Sequence, residues 1–361
     1  MMQAAIALAR RGEGFVEPNP MVGCVITKRG RVIGRGYHER FGAPHAEINA
    51  LAVCRESPAG GTVYVSLEPC AHHAKTPPCC DALIKARIAR VVIGARDPNK
   101  TVRGGGARRL RAAGIDVHTG VCRETAQELI APFATWVTLR RPFVIAKWAQ
   151  SLDGKMATGT GDSKWISCEA SRRRVHRLRA RVDAILVGSG TVIADDPLLT
   201  ARNVRLRRVA TRVVLDGRLR LPIGCALVKG ANTAPTIVMT TREKTSAPKA
   251  RRLMRLGVEL IACRTRADRL SIADVLRHLA QRDVTNLLVE GGPTVLASLV
   301  GQGLVDEAHV YVAPILIGAG PSVLSAGNGV DRVCDAYAPS TVHTSKSGVD
   351  TLVRMRFATS W

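Results

Sequence analysis

Between residues 21 and 120, short runs of β-branched residues alternate with longer stretches in which apolar positions recur at helical spacing. The runs at 22–27, 31–37, 62–66, 90–94 and 116–118 read as strands, and the stretches at 46–55, 81–86 and 106–113 as helices. Such alternation predicts a sheet covered by helices on both faces. A further helical stretch, 124–141, ends in Arg140-Arg141-Pro142, where proline discourages continuation. The domain boundary is placed there, giving domains 1–141 and 142–361. In the second, the pattern predicts strands at 143–147, 184–187, 212–215, 236–239, 258–261, 286–289 and 307–312, and helices at 169–179, 249–256, 272–281 and 294–300. Both halves therefore read as α/β, with no internal repeat.

Composition narrows the class. At roughly 150 residues per domain, 361 residues are enough for two cores. A hydrophobic fraction of 46% excludes a disordered chain. No stretch approaches the ~18 to 20 apolar residues of a membrane helix, and the opening MMQAAIALARRG is too short and interrupted for a signal-peptide core. A soluble cytoplasmic protein is expected. Ten cysteines without an export signal then argue for reduced thiols, which hold metal or do chemistry more readily than they staple a fold.

The net charge of +24 invites a nucleic-acid reading. Between 202 and 269, however, 17 Lys and Arg stand against 4 Asp and Glu, scattered and almost without aromatics. A stacking platform for bases is not supported. A solvated basic surface fits best, with service to a small phosphorylated substrate as the second reading.

The sharpest chemical signal is His45-Ala46-Glu47, then Pro69-Cys70, then Cys79. One imidazole and two thiolates suit Zn²⁺, and three protein ligands leave a fourth tetrahedral position for water. Glu47, two positions beyond His45 at an expected helix start, reaches that water without ligating the metal, the placement of a proton shuttle in zinc deaminases. His72 and His73 are rival ligands, and adjacent Cys79 and Cys80 do not easily face one ion. Cys80, Cys24 and Cys54 are expected in the core or at the surface.

The segments Pro18-Asn19-Pro20-Met21-Val22-Gly23, Gly42-Ala43-Pro44-His45-Ala46-Glu47, Glu68-Pro69-Cys70 through Cys79, and Arg96-Asp97-Pro98-Asn99 closely resemble, in this order, the deaminase half of the bifunctional riboflavin-biosynthesis deaminase/reductase family. That resemblance implies a cytidine-deaminase-like three-layer α/β/α first domain. It implies zinc on His45, Cys70 and Cys79, proton transfer by Glu47, and substrate beside Asn19, Lys75, Asp97 and Asn99. An ammonium such as Lys75 is a good point-charge partner for phosphate. The chain departs from the family in a shorter N-terminal helix, in Leu129-Ile130-Ala131-Pro132-Phe133, and in a glycine-rich loop at 103–106.

In the second half no G-x-G-x-x-G follows a strand, which disfavours a Rossmann site. Glu290-Gly291-Gly292-Pro293-Thr294 instead lies between an apolar strand and a helix, where backbone N–H groups and a helix start accept a phosphate. Lys147, Ser151-Leu152-Asp153-Gly154, Ser163-Lys164-Trp165-Ile166 and the stretch from Gly190 to Pro197 resemble the reductase half of the same family, with its dihydrofolate-reductase-like α/β fold and NADPH. The resemblance implies a cofactor lined by Ala149, Trp165, Thr191, Asp195, Gly292, Pro293 and Thr294, and a substrate lined by Ser163, Arg179, Leu199, Arg202 and Glu290. Asp195, next to Asp196, is expected to have a raised pKa through like charge and to assist protonation as hydride arrives. The family's usual assembly implies a homodimer or larger homo-oligomer, with no nucleic-acid and no membrane partner. Two rivals are a nucleic-acid deaminase with an added binding domain, and a binding protein whose zinc is structural; the second needs a fourth protein ligand.

Overall fold

The computed structural model describes residues 1–71, 77–99, 103–327 and 329–358. Two units divide the chain, Met1–Arg141 and the remainder from Pro142. The first runs α1 (Met2–Ala9), β1 (Gly23–Lys28), β2 (Arg31–Tyr37), α2 (Ala46–Ala52), β3 (Thr62–Leu67), α3 (Cys79–Lys85), β4 (Arg90–Ala95), α4 (Gly105–Ala112), β5 (Asp116–Thr119) and α5 (Arg123–Leu139). Its sheet has the order β2-β1-β3-β4-β5, with β3, β4 and β5 parallel and β1 antiparallel to both its neighbours.

Alternate residues of the central strands face opposite layers, as the pleat requires. Cys24, Ile26, Val63, Val65, Val91 and Ile93 pack with Ala46, Ala50, Leu83 and Leu110 of α2, α3 and α4. Val25, Leu67 and Val92 pack with Met2, Ile6, Leu129 and Ile130 of α1 and α5. Each such aliphatic side chain contributes about 1.5–3 kcal/mol on burial. The result is the expected three-layer α/β/α arrangement.

The second unit runs β6 (Phe143–Ser151), α6 (Glu169–Arg179), β7 (Ala184–Gly188), α7 (Ser189–Asp195), β8 (Thr211–Leu215), α8 (Ala226–Lys229), β9 (Thr236–Thr240), α9 (Arg242–Thr245), α10 (Pro248–Arg255), β10 (Val258–Ala262), β11 (Thr265–Arg266), β12 (Arg269–Leu270), α11 (Ile272–Ala280), β13 (Asn286–Val289), α12 (Pro293–Val300), β14 (Glu307–Ala313), β15 (Thr341–Ser347) and β16 (Asp350–Arg356). Nine strands form one sheet, β10-β9-β8-β7-β13-β6-β14-β16-β15, parallel from β10 to β14 and closed on one side by antiparallel β16 and β15. Val144, Leu186, Val213 and Leu287 face one core with α11 and α12, while Ile185, Val214, Val238 and Leu288 face another with α6 and α10.

The structure differs from the sequence expectations at particular places. Helix α2 stops at Ala52, three residues before the expected end. Helix α1, the N-terminal helix implied by the family resemblance, buries Met2, Ala5, Ile6 and Ala9 on one stripe. Helix α7 and strands β15 and β16 were not anticipated; β15 is exposed at every residue but its last, so no alternation marks it.

Candidate active sites

Parallel neighbours β3 and β4 end side by side, with Leu67 opposite Ala95. Their outgoing loops therefore leave one edge of the sheet together, the first carrying Cys70 and the second Asp97 and Asn99. Helix α2 supplies the third side. Gly36 of β2 lets it lie close, since a Cβ there would come within 2.4 Å of Ala50 N and 2.5 Å of Ala46 O. His45 is the cap residue of α2 and Glu47 lies in its first turn.

His45 Nδ1 stands 3.2 Å from Cys79 Sγ and 3.8 Å from Cys70 Sγ, and all three donor atoms lie within 4.8 Å of one another. Ligands bound to zinc at ~2.0–2.3 Å with tetrahedral angles are about 3.5–3.8 Å apart, so the set fits the ion. The Cys79 N–H donates to Cys70 Sγ at 3.3 Å. Hydrogen bonding from Cys79 holds the Cys70 thiol far below its ordinary range, and the same pairing pushes Cys79 up. Glu47 is 3% exposed, and burial pushes its carboxyl up to about 6. Cys80 turns away into the core toward the carbonyls of Pro69 and Gly106, as expected.

Asn19 reaches the site through a residue that sequence reasoning missed. Its Nδ2 donates to His38 Nε2 at 3.1 Å, while His38 Nδ1 donates to the Pro44 carbonyl, next to His45. His38 is buried and its ring meets that of His45 edge-on, at 5.5 Å between centroids. Burial lowers its pKa, and the Pro44 carbonyl, by holding the proton on Nδ1, leaves Nε2 to accept from Asn19. The Asn99 N–H donates to Asp97 Oδ1 at 2.8 Å. Lys75 and the rival ligands His72 and His73 lie outside the described residues.

In the second unit a cleft of about 1560 Å³ opens beyond the carboxyl ends of the parallel strands, where ligands of open α/β sheets bind. Ala149, Trp165, Thr191, Asp195, Gly292, Pro293 and Thr294 line it. So do Ser163, Arg179, Leu199, Arg202 and Glu290. Helix α7 follows β7 directly and α12 follows adjacent β13 after a short turn, which brings their starts to the same wall. From the basic segment, Arg202, Arg218, Arg220 and Arg269 line the cleft.

At its floor Arg179 grips Glu290 with two bonds, 2.6 and 2.9 Å, and Lys147 Nζ lies 4.0 Å from the same carboxylate. Burial opposes the charge on Glu290, but Arg179 and Lys147 prevail and hold it below the usual carboxylate range. Burial lowers Lys147. Sequence reading named Lys147 without giving it a role; three interlocked charges in a cleft are visible only in three dimensions. Asp195 differs from expectation. Its neighbour Asp196 turns to accept the Ala226 N–H, and Asp195 meets a cation, Lys164, at 3.5 Å. The like-charge pairing proposed for it is replaced by an ion pair at the cleft mouth.

Among the described residues a second donor cluster, Cys263, Asp274 and His278, also comes together. There Asp274 already accepts from the Arg264 N–H and pairs with Arg277, which marks a brace at the start of α11.

These features define a class: a hydrolytic deaminase whose described residues bring three zinc donors together, joined to a reductase with a large cleft at the carboxyl ends of its parallel strands. Comparison with known proteins agrees. Residues 1–95 match the cytidine and deoxycytidylate deaminase zinc-binding region, and residues 142–351 the RibD C-terminal domain. The chain is 44% identical to the riboflavin biosynthesis protein RibD of Aquifex aeolicus over 326 residues, 90% of this chain and 89% of that protein. It is 40% identical to RibD of Escherichia coli K12, over 93% and 92%. The crystal structure of a diaminohydroxyphosphoribosylaminopyrimidine deaminase/5-amino-6-(5-phosphoribosylamino)uracil reductase from Thermotoga maritima superposes with a TM-score of 0.86 at 39% identity, covering 99% of this chain and 97% of that one. The chain belongs to the RibD family, the bifunctional deaminase/reductases of riboflavin biosynthesis.

Proposed function

We propose that the first unit deaminates 2,5-diamino-6-(5-phosphoribosylamino)pyrimidin-4-one, and that the second reduces the ribosyl group of 5-amino-6-(5-phosphoribosylamino)uracil to ribityl with NADPH. The observation that carries the first assignment is a set of three donors among the described residues, His45, Cys70 and Cys79, with the buried carboxyl of Glu47 beside it. Zinc, when bound there, acts as a Lewis acid that makes water nucleophilic at neutral pH. Glu47 takes one proton from the attacking water at a carboxylate oxygen and passes it to the adjacent ring nitrogen, then carries the remaining hydroxyl proton to the amino group, which leaves as ammonia as its C–N bond breaks and the ring carbon becomes a carbonyl. Asn19, held by His38, orients the ring, Asp97 and Asn99 contact the substrate, and Lys75 is the proposed phosphate partner.

NADPH, when bound in the second cleft, supplies the hydride. Trp165, Ala149 and Thr191 with the stretch from Gly292 line the cofactor, and the neighbouring starts of α7 and α12 offer N–H groups to its phosphates. Ser163, Leu199, Arg179, Arg202 and Glu290 line the substrate. The ribose opens as its C1′–O4′ bond breaks, C1′ gains the hydride and O4′ gains a proton. Asp195 is one candidate for that proton. Lys147 is the better placed one, because it lies in the cleft and burial outweighs the stabilising charge of Glu290, 4.0 Å away, which makes its ammonium readier to give a proton up. NADPH oxidation with the deaminated intermediate tests this: Lys147→Met should fall by about 100-fold or more and Asp195→Asn by less than about fivefold. The reverse order would return the role to Asp195.

A cytoplasmic homodimer or larger homo-oligomer completes the reading. All ten cysteines are free, and β15 leaves an exposed sheet edge. Light scattering of the purified chain checks the assembly.

A further inference from the structure

Glu68 stands immediately before Pro69-Cys70 and is 6% exposed. Its Oε2 accepts the N–H groups of Asp97 (3.3 Å) and Gly104 (3.0 Å), and its Oε1 accepts that of Ala107 (3.0 Å). Gly104 is the cap of α4 and Ala107 lies in its first turn, so the carboxylate also sits at the positive end of that helix. One buried side chain thus fastens both ends of the connection from β4 to α4. That connection carries Asp97 and Asn99, and the Arg103 side chain donates back to the Asp97 carbonyl. Its far end is pressed against the Cys70 segment, since a Cβ on Gly106 would come within 1.9 Å of Pro69 O.

We propose that Glu68 is a positioning residue for deamination, holding Asp97 and Asn99 in register with the zinc ligand two residues along its own loop. The inference rests on reading Asp97 and Asn99 as substrate contacts. Hydrogen bonds from N–H groups to a carboxylate are among the stronger ones, and three of them converge here. Glutamine keeps the shape but sets an NH₂ against at least one N–H donor, so the fastening opens at one end.

The test uses the full chain, with Glu68→Gln, Asp97→Ala, Asn99→Ala and the double variant Glu68→Gln/Asn99→Ala. Zinc content and the kcat and KM of ammonia release are measured, and reduction of the deaminated intermediate reports that the chain is folded. Glu68→Gln should raise KM about tenfold while changing kcat by less than about threefold, because the loss falls on binding. Zinc and reductase rate should stay at the wild-type level. In the double variant the two effects on KM should not multiply, because both act through one loop. If neither Asp97→Ala nor Asn99→Ala changes KM, the reading of the loop falls and takes the route from Glu68 with it. If they do change KM, an unchanged KM in Glu68→Gln, effects that multiply, or loss of zinc together with kcat each overturn the role of Glu68 itself. Should Glu68→Gln not accumulate as folded chain, Glu68→Asp, with both oxygens on a shorter stem, reads the same split.

Discussion

A single methyl group at Gly106 would meet the carbonyl that precedes Cys70 at 1.9 Å, with Glu68 Cγ at 3.3 Å. Gly106→Ala should therefore destabilise the first unit by about 1–3 kcal/mol, the usual cost of overpacking, and weaken zinc retention. Thermal unfolding with zinc analysis of the same sample checks both, and an unchanged melting temperature would show that α4 can back away. His45, Glu47, Cys70 and Cys79 were legible in the sequence because zinc chemistry restricts residue type and order at once. Glu68 and His38 were not, since they work through backbone N–H and carbonyl groups that leave no mark in residue spacing. Asp195 was misjudged for a related reason: adjacency in sequence suggested a like-charge neighbour, while the chain turns Asp196 away and brings Lys164 in.

Strand β14 shows what an element adds. Glu307 at its start pairs across to Arg356 on β16 and along its own face to His309. Burial alone would raise the Glu307 carboxyl, but His309 and Arg356 bring it down to about 2. A carboxyl depressed on folding stabilises above its unfolded pKa and loses that contribution as pH falls toward its folded one. The second unit should therefore lose about 3 kcal/mol, to order of magnitude, between pH 5 and about 2. Glu307→Gln should be less stable near neutrality and flatter across that window; an acid unfolding profile matching the wild type would refute it. Most strands and longer helices were legible because their faces are buried on a regular period. Strand β15 was not, being exposed at every residue but its last, and α7 was not, being a seven-residue helix that follows β7 without an intervening residue.

On the scale of the whole chain, the boundary expected at Pro142 is where the two compact units part, each with its own sheet and cores. More than half of the net charge of +24 lies in the segment 202–269, read first as a solvated surface and second as serving a phosphorylated substrate; four of its arginines line the reductase cleft. Two separate sites predict separable losses. Removing zinc with a chelator should stop ammonia release and leave NADPH oxidation of the deaminated intermediate unchanged. The most direct test uses Glu47→Ala, with zinc content, ammonia release and NADPH oxidation measured on one preparation. The expected variant keeps about one zinc, loses ammonia release by about 100-fold or more, and still oxidises NADPH when given the deaminated intermediate. A variant that releases ammonia at the wild-type rate, or a wild-type protein that holds zinc but oxidises NADPH with neither substrate, would contradict the account.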